Sequence, residues 1–246
     1  MLVKIFFDDG GVLNDNKIRG KQWRILAGEY YYSRLGGDPE IWGDANQKLI
    51  TSYFNTFLRD GREKFKDYKT FYNDFKQHMI LGMFKEAGKT PPQNITPIEV
   101  FNSANQYVIP KIRSAIPGVI DSIKKLSSSG FTLYTASGAV SVEMKMYLEG
   151  MGVIQYFKEF YGPDLVNTWK FDKDYYRAIF KDLNLNPRNA IIIEDNPKYL
   201  EAAFQTGAYV IQSCITGEFK PQYPFFVKNM KVLPKIIGDL LDFHNL

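Results

Sequence analysis

The chain has 246 residues, about 1.6 times the usual length of one domain, so an enlarged domain or a core carrying an insert is expected. Hydrophobic residues make up 45% and charged residues 24%, which excludes a disordered or fibrous chain, and the net charge of +4, spread along the sequence, suits a small anionic ligand better than a nucleic-acid surface. One cysteine (Cys214) and two histidines (His78, His244) exclude an internal disulfide and a Cys/His zinc site; no apolar run approaches the roughly 18 residues of a membrane span, and Met1 leads straight into a strand-like run, so a cytoplasmic protein without membrane contact is expected.

Leu2–Phe7 (LVKIFF) reads as a buried parallel strand, short, apolar and β-rich. Asp8-Asp9-Gly10-Gly11-Val12-Leu13 follows it. A carboxylate at the carboxyl end of a first buried strand, before a glycine-rich turn, is placed to be a nucleophile or a metal ligand. From about Asn14 to Ser114 the patterns are helical only, with hinges expected at Asn14–Lys17 and Ser114–Gly118. Lys17, Arg19, Lys21 and Arg24 form a basic cluster at the start of this stretch, most simply a solvated helix face. Asp38-Pro39 opens a helix whose apolar stripe is Ile41, Trp42, Ala45, Leu49, Ile50, Tyr53, Phe54 and Phe57. Phe71, Tyr72, Phe75, Met79, Met83 and Phe84 make a second stripe, with His78 within that helix. Thr96-Pro97-Ile98-Glu99 is a capping box that opens a third helix, with Val100, Phe101, Ala104, Tyr107 and Val108 inward. Aromatic stripes at helical spacing are read as packing surface rather than as a cofactor box.

Beyond Ser114, strands and helices alternate. Val119, Ile120, Ile123 and Leu126 mark a helix, Phe131–Ala136 a strand, and Val142, Met146 and Tyr147 a helix. Tyr175, Tyr176, Ile179, Phe180 and Leu183 mark another helix, Ala190–Glu194 a strand and Ala208–Gln212 a fourth strand, with Cys214 a small apolar filler beside it. Alternation of this length predicts right-handed βαβ units, hence an α/β fold with a doubly wound, Rossmann-like parallel sheet over residues 1–14 and 115–246 and an inserted helical domain over 15–114. Chemistry in such sheets sits at the carboxyl ends of the strands.

Four segments in order resemble the motifs of the haloacid dehalogenase superfamily. The first motif of that superfamily reads Asp-x-Asp-Gly-Thr/Val-Leu. Gly11-Val12-Leu13 sets the register, which puts Asp8 on the nucleophilic aspartate, Asp9 on the variable position and Gly10 on the second aspartate. Ser137, after the strand ending at Ala136 and before Gly138, resembles the second motif, and Lys170 the third, with Phe171 where a proline is common. Glu194-Asp195 is similar to the acidic pair of the fourth motif, and Ile116-Pro117-Gly118 to the usual return from cap to core.

The resemblance implies a magnesium-dependent hydrolase with a helical cap, acting on a small phosphorylated substrate through an aspartyl-phosphate on Asp8. Mg2+ would be held by Asp8, Glu194, Asp195 and the backbone carbonyl of Gly10; Lys170 would offset the carboxylates, and the backbone of Asp9, Gly10 and Gly11, with Ser137, Gly138 and Lys170, would hold the phosphoryl group. Gly10 departs from the family: the missing aspartate protonates the leaving group and then activates water, help typically worth about 10²–10⁴ in rate. Two other functions stay open, a catalytically silent relative that binds a phosphorylated ligand or partner, and a C–P or C–halogen bond hydrolase, of which the metal-free dehalogenase is disfavoured by Glu194-Asp195. Gly10→Asp is expected to raise activity on unactivated esters, unless position 10 needs a backbone angle that only glycine adopts.

Overall fold

The computed structural model describes residues 3–60, 62–94 and 96–245, apart from the side chains of residues 54, 55, 57–60 and 62. Six strands, β1 (Lys4–Phe7), β2 (Thr132–Ala136), β3 (Phe157–Tyr161), β4 (Ala190–Glu194), β5 (Tyr209–Ser213) and β6 (Phe226–Val227), form one parallel sheet in the order β3-β2-β1-β4-β5-β6. The central strands β1, β2 and β4 read as near-continuous apolar runs because both faces are covered. On one face Ile5, Phe7, Leu133, Ile191, Ile193 and Ile211 pack against α5 (Val119–Ser128), α6 (Ser141–Gly150) and α10 (Leu233–His244). On the other, Phe6, Tyr134, Ile192 and Val210 pack against α8 (Lys173–Asp182) and α9 (Pro197–Phe204), with the short α7 (Pro163–Val166) leading into α8. β1 lies between β2 and β4, so the strand order reverses there, and the switch point of the sheet lies at the carboxyl ends of β1 and β4.

The chain up to Asn16 and from Ser114 onward forms this α/β unit, and Lys17–Arg113 forms a helical unit. The helical unit contains all but the first residue of α1 (Asn16–Leu35), and α2 (Pro39–Asp60), α3 (Tyr68–Glu86) and α4 (Pro97–Val108). The starts of α2, α3 and α4 have local causes. Asp38 Oδ1 accepts from the Glu40 N–H at 2.8 Å ahead of Pro39, Asp67 Oδ1 accepts from the Thr70 N–H at 2.8 Å, and the Thr96–Glu99 capping box is closed in both directions. Its interior is aromatic: Trp42 stacks on Tyr31 with centroids 5.2 Å apart and meets Phe84 edge-on at 5.3 Å, while its indole N–H donates to the Gly36 carbonyl. No described helix is long and apolar enough to cross a membrane.

Some details differ from the sequence expectations. β1 begins at Lys4, with Val3 outside it and Leu2 outside the described residues; β2 begins at Thr132, and β5 runs one residue later than predicted, to Ser213. β3 and β6 were not expected. β3 is an edge strand whose Lys158 is exposed and whose Glu159 is half-exposed, which breaks the apolar run, and β6 has two residues, too few for a pattern. In α6 the buried face is Met144, Tyr147 and Leu148, and Val142 is exposed, because an i, i+3, i+4 stripe one phase over is the one that meets the sheet. In the helical unit Ile41 is exposed and Tyr72 and Tyr107 are half-buried; the side chains of Phe54 and Phe57 lie outside the described ones. His78 is exposed, its Nδ1 3.1 Å from the Asp74 carbonyl oxygen.

Candidate active site

β1 and β4 pair with Phe7 opposite Ile193, and the Asp8 N–H donates to the Ile193 carbonyl at 2.9 Å. That register brings Asp8, the residue after β1, beside Glu194, the last of β4, with Asp195 following. One ligand oxygen from each of the three carboxylates lies within 4.8 Å of the others, and all three residues are buried. Lys170 comes from the turn ahead of α8, which Asp172 caps by accepting from the Asp174 N–H. Its buried Nζ lies 2.5 Å from Asp8 Oδ1 and 2.5 Å from Glu194 Oε2. The first contact is a hydrogen bond as well as an ion pair.

Three buried carboxylates face one ammonium, an imbalance that the carboxylates themselves register. Burial, then Glu194, pushes Asp8 up to about 7 despite Lys170; burial pushes Glu194 up to about 7, and burial with Asp8 pushes Asp195 up to about 6. Lys170 is driven the other way: burial would lower it, but Asp8 and Glu194 together hold it well above the ordinary lysine value, so it stays charged. A site of hard oxygen donors short of positive charge has the chemistry of a hard divalent cation such as magnesium or calcium. The packing is made for these carboxylates. Gly11 has φ +72, and a Cβ there would collide with Asp195 Oδ2, so both the turn and the close approach of Asp195 require glycine.

The remaining sequence-predicted residues fall as follows. Ser137 follows β2 directly and is buried; its Oγ accepts from the Ala139 N–H at 2.9 Å, which leaves the hydroxyl proton available to a ligand. Gly138 has open space where a Cβ would stand, and Gly10, unlike Gly11, does not have a positive φ. Asp9 is buried on the other side of the turn, its Oδ1 accepting from Asn14 Nδ2 at 2.6 Å, while its carbonyl accepts from the Leu13 and Asn14 N–H groups. The Asp9 side chain is thus engaged in shaping the turn.

Three supporting side chains escaped the sequence reading. Tyr175 donates to the Ser137 carbonyl at 2.7 Å, Ser213 donates to the Gly11 carbonyl at 2.6 Å, and Gln212 Nε2 lies 3.4 Å from the Asp195 carbonyl. Gln212-Ser213 carried a usable signal: two polar residues ending an apolar strand, the same feature that marks Asp8 and Glu194. Tyr175 carried none, since it falls within the apolar stripe of α8.

The haloacid dehalogenase-like hydrolase family matches residues 44–212, a stretch that takes in Ser137, Lys170, Glu194 and Asp195. The chain belongs to that family. The match starts after Asp8–Gly11, so the first motif stands on its position in the fold. No curated protein matches the chain. Among solved structures, the putative HAD-hydrolase YfnB from Bacillus subtilis, bound to magnesium, is 14% identical, with 96% of this chain and 99% of that one covered and a TM-score of 0.68. The defluorinating L-2-haloacid dehalogenase Rha0230 is 14% identical, covering 95% and 94%, at 0.68. A HAD phosphatase from Thermococcus onnurineus is 15% identical, covering 96% and 98%, at 0.65. At such identities the likeness shows the HAD fold of a Rossmann-like core with a helical cap, shared by dehalogenases and phosphatases alike.

Proposed function

We propose that this HAD-like chain is a magnesium-dependent phosphatase of small phosphorylated metabolites, working through an aspartyl-phosphate on Asp8. The observation that carries this reading is the convergence of Asp8, Glu194, Asp195 and Lys170 at the switch point of the sheet. We assign catalysis to the α/β unit and substrate selection to the helical unit, and a cytoplasmic setting is consistent with the buried free thiol of Cys214. The carboxylates of Asp8, Glu194 and Asp195, with the Gly10 carbonyl, would hold the magnesium. When bound, magnesium supplies the positive charge that this carboxylate cluster and a phosphoryl group both lack. Lys170 keeps the free oxygen of Asp8 ionised for attack on phosphorus, the Ser137 hydroxyl donates to a phosphoryl oxygen, and the N–H groups after Asp8 orient the others.

Gly10 supplies no acid, so substrates whose leaving group needs no proton are favoured: aryl and acyl phosphates over alkyl phosphates. Incubation with an aryl phosphate and magnesium should give turnover that Asp8→Asn abolishes without unfolding the protein, and that a chelator also abolishes. Turnover surviving Asp8→Asn would overturn the nucleophile assignment. Chelator-resistant release of halide from 2-haloacids would move the reading to a metal-free dehalogenase. Thermal stabilisation by phosphate esters without turnover would establish a silent binding protein instead.

A further inference from the structure

Position 10 has no backbone need for glycine, because its φ is not positive. What it meets is a side chain. A Cβ on Gly10 would stand 2.7 Å from Asn16 Oδ1 and 2.8 Å from Asn16 Nδ2, closer than real Cβ atoms come to such neighbours. Asn16 is the exposed first residue of α1. The Asp9–Asn14 turn, closed by Gly11 N–H to the Asn14 carbonyl at 2.8 Å and by Asn14 N–H to the Asp9 carbonyl at 2.9 Å, carries the chain back so that the carboxamide lies over residue 10. The Asn16 carboxamide, the end of an exposed side chain, therefore lies where a side chain at position 10 would begin, two residues from Asp8, and would have to shift to admit one.

We propose that Asn16 occupies the place of the missing second aspartate and presents a neutral amide, in its stead, to the leaving oxygen and to the attacking water. This rests on the reading of Asp8 as nucleophile. In the first half-reaction an Asp8 oxygen bonds to phosphorus, the bond from phosphorus to the leaving oxygen breaks, and its electron pair stays on that oxygen. The amide N–H hydrogen-bonds the oxygen but keeps its proton, so an alkoxide has to take one from solvent, whereas an aryloxide or carboxylate departs as an anion. In the second half-reaction water attacks phosphorus and the bond to Asp8 breaks. Asp8 returns as carboxylate with inorganic phosphate, and the amide carbonyl orients the water while its proton passes to solvent. Selectivity for activated phosphates is then built into Asn16.

The decisive variant is Asn16→Asp, which changes one amide to one carboxyl at an exposed helix start. The first turn of α1 has no acidic residue and the helix dipole favours one, so folding is not at risk. Asn16→Asp should raise kcat for an alkyl phosphate by up to about 10²-fold and far less for an aryl phosphate, which flattens the dependence of rate on leaving-group basicity. Intact-protein mass spectrometry should find less phosphorylated Asp8 accumulating than in the native chain. Gly10→Asp combined with Asn16→Gly should gain as much as Asn16→Asp alone, and Gly10→Asp with Asn16→Asp no more than either, since one carboxyl suffices for the proton transfer and the second is displaced from the same place. A uniform change across all esters in Asn16→Asp, or gains that multiply in the double variant, would overturn the proposal. If the native chain hydrolyses the aryl phosphate through Asp8 but Asn16→Asp leaves the alkyl-to-aryl ratio unmoved, only the role of Asn16 falls. If turnover ignores Asp8→Asn, or no variant turns over any ester, the hydrolase reading falls with it.

Discussion

Among the described residues of the α/β unit five charged side chains are buried, Asp8, Asp9, Glu194 and Asp195 at or just after strand ends and Lys170 in the turn ahead of α8, whereas among those of the helical unit no charged side chain is buried and the interior is ringed by Tyr31, Trp42, Phe71 and Phe84. Ion pairs described in that unit, such as Arg24 with Asp44 and Lys48 with Glu86, are solvent-accessible and contribute little to stability. Burying charge is costly and persists where an opposite charge or a ligand compensates it; burying aromatic rings is favourable without further help. One unit is therefore organised around a reaction and the other around packing, so substitutions at buried positions should separate into losses of chemistry and losses of stability.

The sharpest break of that contrast is Trp42→Ala. Removing a fully buried indole that stacks on Tyr31 and donates to Gly36 should cost about 3–5 kcal/mol, read by denaturant unfolding, with hydrogen exchange accelerating in α1–α4 before the sheet. A loss confined to the sheet would contradict the separation of the units. Lys170→Met should cost about 3 kcal/mol in chelator, since it strands Asp8 and Glu194 without their buried counter-charge, and magnesium should recover part of that loss. A neutral result in urea titrations would mean that the carboxylates carry protons rather than charge. Asp195→Ala should weaken magnesium binding by at least about tenfold, or ~1.4 kcal/mol, in titration calorimetry, with the melting temperature of the metal-free protein held or raised as a buried charge is removed. Unchanged affinity would remove Asp195 from the ligand set. Thr96→Ala is the smallest, about 1 kcal/mol through loss of the α4 capping box, visible in thermal melts and absent from magnesium affinity.

The α/β class, three of the four expected strands at or within one residue of their bounds, and the helical starts at Asp38-Pro39 and Thr96 were legible in the sequence because they depend on local rules: apolar runs of strand length, N-cap oxygens and proline at a first turn. The positions of Asp8, Ser137 and Glu194 were legible for a related reason, since a polar residue that ends a buried strand has few places to go in a parallel sheet. The edge strand β3 was not, because Lys158 and Glu159 interrupt its apolar run and only its long-range pairing with β2, through an irregular register, makes it a strand. That Lys170, over 160 residues from Asp8, sits midway between two carboxylates was decided by the pairing of β1 with β4 and the docking of α8, both long-range. The identity of Gly10 shows the same division. Its missing carboxyl can be read from the sequence alone, but that its volume belongs to Asn16 follows from a turn folding back six residues, and whether two side chains compete for space is a property of three-dimensional packing that no spacing along the chain encodes.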